Sequence, residues 1–141
     1  MKRIIIGLAG EKDAGKTTAA KVLSDMGFYY VSINDKVLEL ANYLCTEKIS
    51  QKHLDDIRNK GYNVSRLYWI NLIMSSLPED KRRIVIDDMR EEDDIQQVII
   101  PFYITRDSGT QAIKGFKTVR NLSNLDSFKK LIKEMFENFA K

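Results

Sequence analysis

The sequence predicts an α/β domain in three layers, with a five-stranded parallel sheet between two layers of helices. Three observations predict it. Short apolar runs, such as Ile4–Ile6 and Ile84–Ile86, alternate with longer segments of helical apolar spacing. The first run passes through a glycine-rich turn straight into a helix, which is a strand–loop–helix unit. At 141 residues, with 43% hydrophobic and 30% charged side chains, the chain has the size and composition of one globular domain.

The glycine-rich turn carries the chemistry. Gly10, four residues, then Gly15-Lys16-Thr17 fit G-x-x-x-x-G-K-[ST], the phosphate loop of P-loop NTPase folds. Glycines at both ends let successive backbone N–H groups converge on one point, and the following helix adds its positive dipole end. Such a nest grips a triphosphate tail. Asp13, Ala14, Gly15 and Thr18 would contribute backbone to it. Lys16 would reach the β- and γ-phosphates, and the Thr17 hydroxyl would hold Mg²⁺.

The elements follow in order. Ile4–Ile6 is the first strand, and the helix after Gly15 runs through Leu23 and stops at Ser24–Gly27, with Gly27 just past its end. Phe28–Ser32 is the second strand. Asn34 or Asp35 caps the next helix, whose Val37, Leu38, Leu40, Ala41 and Leu44 form an apolar face. Gln51–Lys60 reads as a polar helix that Gly61 ends, and Val64–Leu77 as a further helix that Pro78 ends.

Ile84–Ile86 is a third, buried strand that runs into Asp87-Asp88, where a P-loop protein places its metal-positioning carboxylate. Strand pleat allows one of the two to face the metal, and the sequence leaves open which. Glu91–Gln96 reads as a short helical turn. Val98–Thr105 is the fourth strand, with Pro101 marking an irregular place in it. Asp107–Gly115 is a loop, and Phe116–Arg120 a short fifth strand. Asn124 or Asp126 caps a closing amphipathic helix with Phe128, Leu131, Ile132, Met135, Phe136 and Phe139 facing inward.

Composition narrows the function classes. No apolar run reaches membrane-spanning length, and the basic-then-apolar N-terminus is too short to serve as a targeting segment and still supply the strand that the phosphate loop needs. The lone Cys45 rules out an internal disulfide and suits a reducing, cytoplasmic setting. With 23 basic against 20 acidic residues, the +3 charge is too balanced to argue for nucleic acid, and fits a small anionic substrate. His53 stands in a polar helix and reads as a surface residue.

Basic residues at the ends of elements, Arg66, Arg90, Arg106 and Arg120, suit a phosphoryl transferase, which needs cations to clamp phosphates and neutralise charge in flight. The helical region from Asn34 to Leu77 stands where a second-substrate site could be built. Several stretches, GLAGEKDAGKTTAAKVL, GFYYVSINDKVLELANYL, GYNVSRLYWINLIMSSL, IVIDDMREEDDI and VRNLSNLDSF, together cover most of the chain. In them the sequence resembles the P-loop nucleoside monophosphate kinases, most of all the phage-type deoxynucleoside monophosphate kinases. Phosphomevalonate and dephospho-CoA kinases share parts of the pattern, so the acceptor stays open.

The resemblance implies roles for particular residues. Arg66 and Arg90 would hold an acceptor monophosphate, and Asp88 would sit beside the metal or the acceptor. Asp35 and Lys36 would lie in the acceptor pocket, with Trp69 on its wall or in the core. Arg106 would be the lid-side arginine on the transferred group, and Asn121 would lie near the donor base. Asp107–Gly115 would replace a longer lid, offering Gln111 where an acidic residue is usual, and a short lid excludes water less well.

The expectation is therefore ATP-dependent transfer, with Mg²⁺, to a small phosphorylated acceptor, by a monomer or homodimer. Two other classes fit the same loop: a nucleotide-dependent regulatory switch with little transfer, and an assembly protein that binds only an anion.

Overall fold

The computed structural model describes residues 3–11, 14–44, 48–89, 99–106, 116–122 and 124–137. Its elements are β1 (Ile4–Gly10), α1 (Lys16–Asp25), β2 (Tyr29–Ser32), α2 (Ile33–Leu44), α3 (Gln51–Val64), α4 (Tyr68–Ser76), β3 (Arg83–Asp87), β4 (Ile99–Thr105), β5 (Lys117–Arg120) and α5 (Leu125–Phe136). The five strands form one all-parallel sheet, as expected, and their order in it is β2-β3-β1-β4-β5.

β1 lies at the centre because it is apolar on both faces, and a parallel strand covered by helices on both sides must be. Ile6 and Leu8 point to one face, where they meet Ala19, Ala20 and Leu23 of α1 and Phe128, Ile132 and Phe136 of α5. Ile5 and Ala9 point to the other, against Val37 of α2 and Trp69, Ile70 and Ile73 of α4. The same alternation sends Val85 to the first face and Ile84 and Ile86 to the second.

All five strands run the same way, so their carboxyl ends, Gly10, Ser32, Asp87, Thr105 and Arg120, share one edge of the sheet. That edge is where ligands of open parallel sheets bind.

Several boundaries differ from the sequence expectation. α3 runs through Gly61 to Val64. Gly61 is buried inside the helix because α4 packs on it: a Cβ there would lie 2.6 Å from the Trp69 indole nitrogen. α4 accordingly starts at Tyr68, not Val64, after a turn that contains Arg66. α2 starts at Ile33, and the Ser32 hydroxyl, not Asn34 or Asp35, stands at its cap, accepting from the Asp35 N–H at 3.4 Å.

Ser50 caps α3 by accepting from the His53 N–H, while the Ser50 N–H donates back to His53 Nδ1 at 3.0 Å. His53 thus fills the place of the reciprocal glutamate in a capping box. Asn124, not Asp126, caps α5, accepting from the Ser127 N–H at 2.9 Å. On α5, Phe128, Ile132 and Phe136 are buried, whereas Leu131 is 38% exposed. Phe139, Cys45, the Glu91–Gln96 turn and the Asp107–Gly115 loop lie outside the described residues.

Pro101 sits within β4, opposite Gly7 on β1, and the β5 ladder begins one residue later at Phe102. The residue without an N–H therefore stands where β4 has a single neighbour.

Candidate functional site: a phosphate loop with a carboxylate pair

The loop between β1 and α1 is held from behind. Gly15 has φ +114 and stands at the N-cap of α1, a backbone conformation that glycine adopts without cost. The first helical bond runs from the Ala19 N–H to the Gly15 carbonyl, which leaves the N–H groups of Lys16, Thr17 and Thr18 without a helical acceptor. N–H groups exposed in this way at a helix N-terminus suit an anion.

Asn121 fixes the loop. Its Nδ2 donates to the Ala14 carbonyl at 3.0 Å, and its own N–H donates to the Thr105 carbonyl at 2.7 Å. Its side chain thus lies against the backbone of the loop. A second tie comes from Thr105, whose hydroxyl donates to Glu11. Burial raises the Glu11 carboxyl, but hydrogen bonds from Thr105, Tyr103 and the backbone outweigh it and hold the group below its ordinary value.

Two cavities meet at Lys16 and Thr17. One, of about 310 Å³, is lined by Gly15, Lys16, Thr17, Thr18 and Arg106. The other, of about 290 Å³, is lined by Lys16, Thr17, Tyr30, Ser32, Asn34, Asp35, Gln51, Asp87 and Asp88. The first is cationic and amide-lined, the second acidic.

Asp87 and Asp88 both belong to the second cavity, but in different states. Asp87 ends β3; its Oδ2 accepts from the Tyr30 hydroxyl at 2.9 Å, and its Oδ1 from the Asp88 N–H at 2.7 Å. Burial raises the Asp87 carboxyl above its ordinary value, while Tyr30, the Asp88 N–H and the Lys16 charge pull the other way. The Tyr30 hydroxyl is pushed up as well, first by burial and then by Asp87, so it stays a donor.

Among the described residues, Lys16 and Arg58 both engage Asp88. Its Oδ1 lies 3.5 Å from Lys16 Nζ, and its Oδ2 accepts from Arg58 Nη1 at 2.9 Å. Arg58 Nη2 also donates to the Asp88 carbonyl at 2.8 Å. Asp88 has φ +65, a conformation that costs a non-glycine residue on the order of 1–3 kcal/mol. The Arg58 fork and a bond from the Met89 N–H to the Leu8 carbonyl, 2.9 Å, hold it there.

Arg58 was not singled out from the sequence. Leu54, Ile57 and Gly61 mark the inward face of α3, and Arg58 lies on it. That apolar stripe was the available signal.

The remaining expected site residues divide. Asp35 lines the acidic cavity. Lys36 pairs with Glu39 at 3.6 Å and lines a separate groove with Leu40, Tyr43, Tyr68 and Leu72. Trp69 is fully buried, and its Nε1 donates to the Arg58 carbonyl at 2.9 Å, so it is a core residue. Arg66 is exposed in the α3–α4 turn and is not among the residues lining either site cavity. Arg90, Asp13 and Gln111 lie outside the described residues.

A divalent cation fits the oxygen donors here. The Thr17 hydroxyl and the Asp87 carboxylate are hard ligands, which suit magnesium. Among the described residues there is no cluster of three or more His, Cys, Asp or Glu able to hold a metal. Magnesium needs none, since it keeps several waters and binds through one or two carboxylates plus substrate phosphates.

Fold and site together define a P-loop-like α/β protein. No protein-family model matches the chain, and no curated protein matches it in sequence. Among the described residues, no helix is long and apolar enough to cross a membrane.

Proposed function

We propose that the chain transfers the γ-phosphoryl group of ATP to a small phosphorylated acceptor, with a (deoxy)nucleoside monophosphate as the leading acceptor class. One observation carries this reading: a cationic, amide-lined cavity and an acidic cavity share Lys16 and Thr17. A donor tail in the first would present its terminal phosphate at the mouth of the second.

In this reading the loop N–H groups, Lys16 and Arg106 bind the triphosphate and offset its charge. Thr17 and Asp87 would hold magnesium, which would supply charge neutralisation at the transferred phosphoryl group. Asp88 serves as a counter-ion, because both its carboxylate oxygens face cations. Asp35, Asn34, Gln51 and Tyr30 line the acceptor side. An acceptor phosphate oxygen attacks the γ-phosphorus, the bond to the β–γ bridging oxygen breaks, and ADP leaves. The acceptor is already an anion, so the reaction needs positioning and charge neutralisation more than a general base.

The test is an assay with γ-labelled ATP against a panel of nucleoside monophosphates and other phosphorylated acceptors. Label should move to one acceptor class, and Lys16→Ala should abolish that transfer with the melting temperature kept. ATP binding without any labelled product would favour the regulatory switch. Equal affinity for ATP and inorganic phosphate would favour an anion-binding role.

A further inference from the structure

We propose that Arg58 is a positioning residue that sets the affinity for a triphosphate by holding Asp88, so that Lys16 is free to leave it. The inference rests on the nucleotide reading above and concerns a residue on α3, 30 positions from Asp88 in sequence.

Lys16 faces two anions in turn. Its ammonium lies 3.5 Å from Asp88 Oδ1. A triphosphate in the loop would need that ammonium turned toward its own oxygens. The ease of the exchange depends on what else satisfies Asp88. A buried carboxylate that loses one cation holds its remaining partners more strongly, because less of its charge is then compensated.

Arg58 removes that obstacle. It contributes two bonds to Asp88, at 2.9 Å to the carboxylate and 2.8 Å to the carbonyl, whereas the Lys16 contact is a single longer one. Arg58 is itself well placed to do so. It is 4% exposed, its carbonyl accepts from Trp69 Nε1 at 2.9 Å, and its guanidinium lies 5.9 Å from the Tyr62 ring centre. Gly61, one helical turn on, lets Trp69 pack against α3 and fix its depth. The guanidinium is therefore pre-set and stays on Asp88 when Lys16 moves.

The experiment measures ATP affinity, with and without magnesium, for the wild-type chain, R58A, D88N and R58A/D88N. R58A should bind about tenfold more weakly, about 1.4 kcal/mol, because Asp88 then competes for Lys16. The double variant should bind at least as tightly as the wild type, because the competitor is gone. A merely structural role for Arg58 predicts no such rescue. Wild-type affinity in R58A, or a double variant as weak as R58A, overturns the inference.

Should R58A fail to fold, D88N decides alone. Releasing Lys16 should raise affinity for magnesium-free ATP, and an unchanged or lower affinity overturns the inference. Failure of the wild-type chain to bind ATP overturns the nucleotide reading and this inference with it. Binding by the wild type with R58A unaltered overturns this inference only.

Discussion

Asn121 Nδ2 donates to the Ala14 carbonyl at 3.0 Å, joining two residues 107 positions apart and fastening the phosphate loop to the end of β5. The Asn121 side chain also closes the space behind Gly15, where a Cβ would lie 2.7 Å from Nδ2. Asn121→Ala should therefore cost about 1–3 kcal/mol, since it leaves the carbonyl of buried Ala14 unsatisfied. Chemical denaturation checks the stability. Nucleotide affinity should fall in the same variant, because the loop loses its support.

Gly61 and Trp69 make a second close approach. Alanine favours helix over glycine by roughly 1 kcal/mol, so Gly61→Ala would stabilise an exposed helix interior. Here the new methyl would meet indole atoms at 2.6–2.9 Å in a fully buried ring. Overpacking of this kind costs about 1–3 kcal/mol, so the variant should be less stable than the parent in urea or guanidinium. It should also disturb the Trp69–Arg58 bond, visible as a change in tryptophan fluorescence.

Much of this fold was legible in the sequence, because apolar runs and the glycine loop are local features. β1 and β3 are apolar on both faces, and G-x-x-x-x-G-K-T carries its meaning in spacing alone. What was not legible depends on long-range packing. Gly61 looks like a helix stop until Trp69 is placed against it. Arg58 looks solvated until β3 delivers Asp88 to it. The cap of α2 shifted to Ser32 because that helix begins directly at the strand end, with no connecting loop. The tie from Asn121 to the loop depends on β5 ending beside Thr105, whose carbonyl holds the Asn121 N–H.

Asp87 gives a pH signature. Its folded-state carboxyl is raised from the ordinary value of 3.8, chiefly by burial. The folded chain thus binds this proton more tightly than the unfolded chain does. The resulting stabilisation is present below the ordinary value and is lost as pH rises through the folded value. Asp87→Asn should melt higher than the parent at neutral pH, and the gap should shrink on acidification through that window. Glu11, held low, has the opposite sign: its contribution is present above its ordinary value and fades as pH falls. Thermal melts of D87N and E11Q across the acid range would show the two opposed trends.

Arg106 lines the cationic cavity at the end of β4, beside Gly15, Lys16 and Thr17. A cation there should act on charge that develops during transfer more than on ground-state binding. Arg106→Ala should lower kcat by about 100-fold or more with a small change in KM for ATP. Steady-state kinetics with the acceptor found in the labelled-ATP screen would separate the two constants.

The most direct measurement is calorimetric titration of ATP into the purified chain, with magnesium and then with a chelator. Saturable one-site binding that magnesium strengthens is expected, and Lys16→Ala should lose it. No magnesium-dependent affinity for ATP or GTP in the folded wild-type chain would contradict the nucleotide reading.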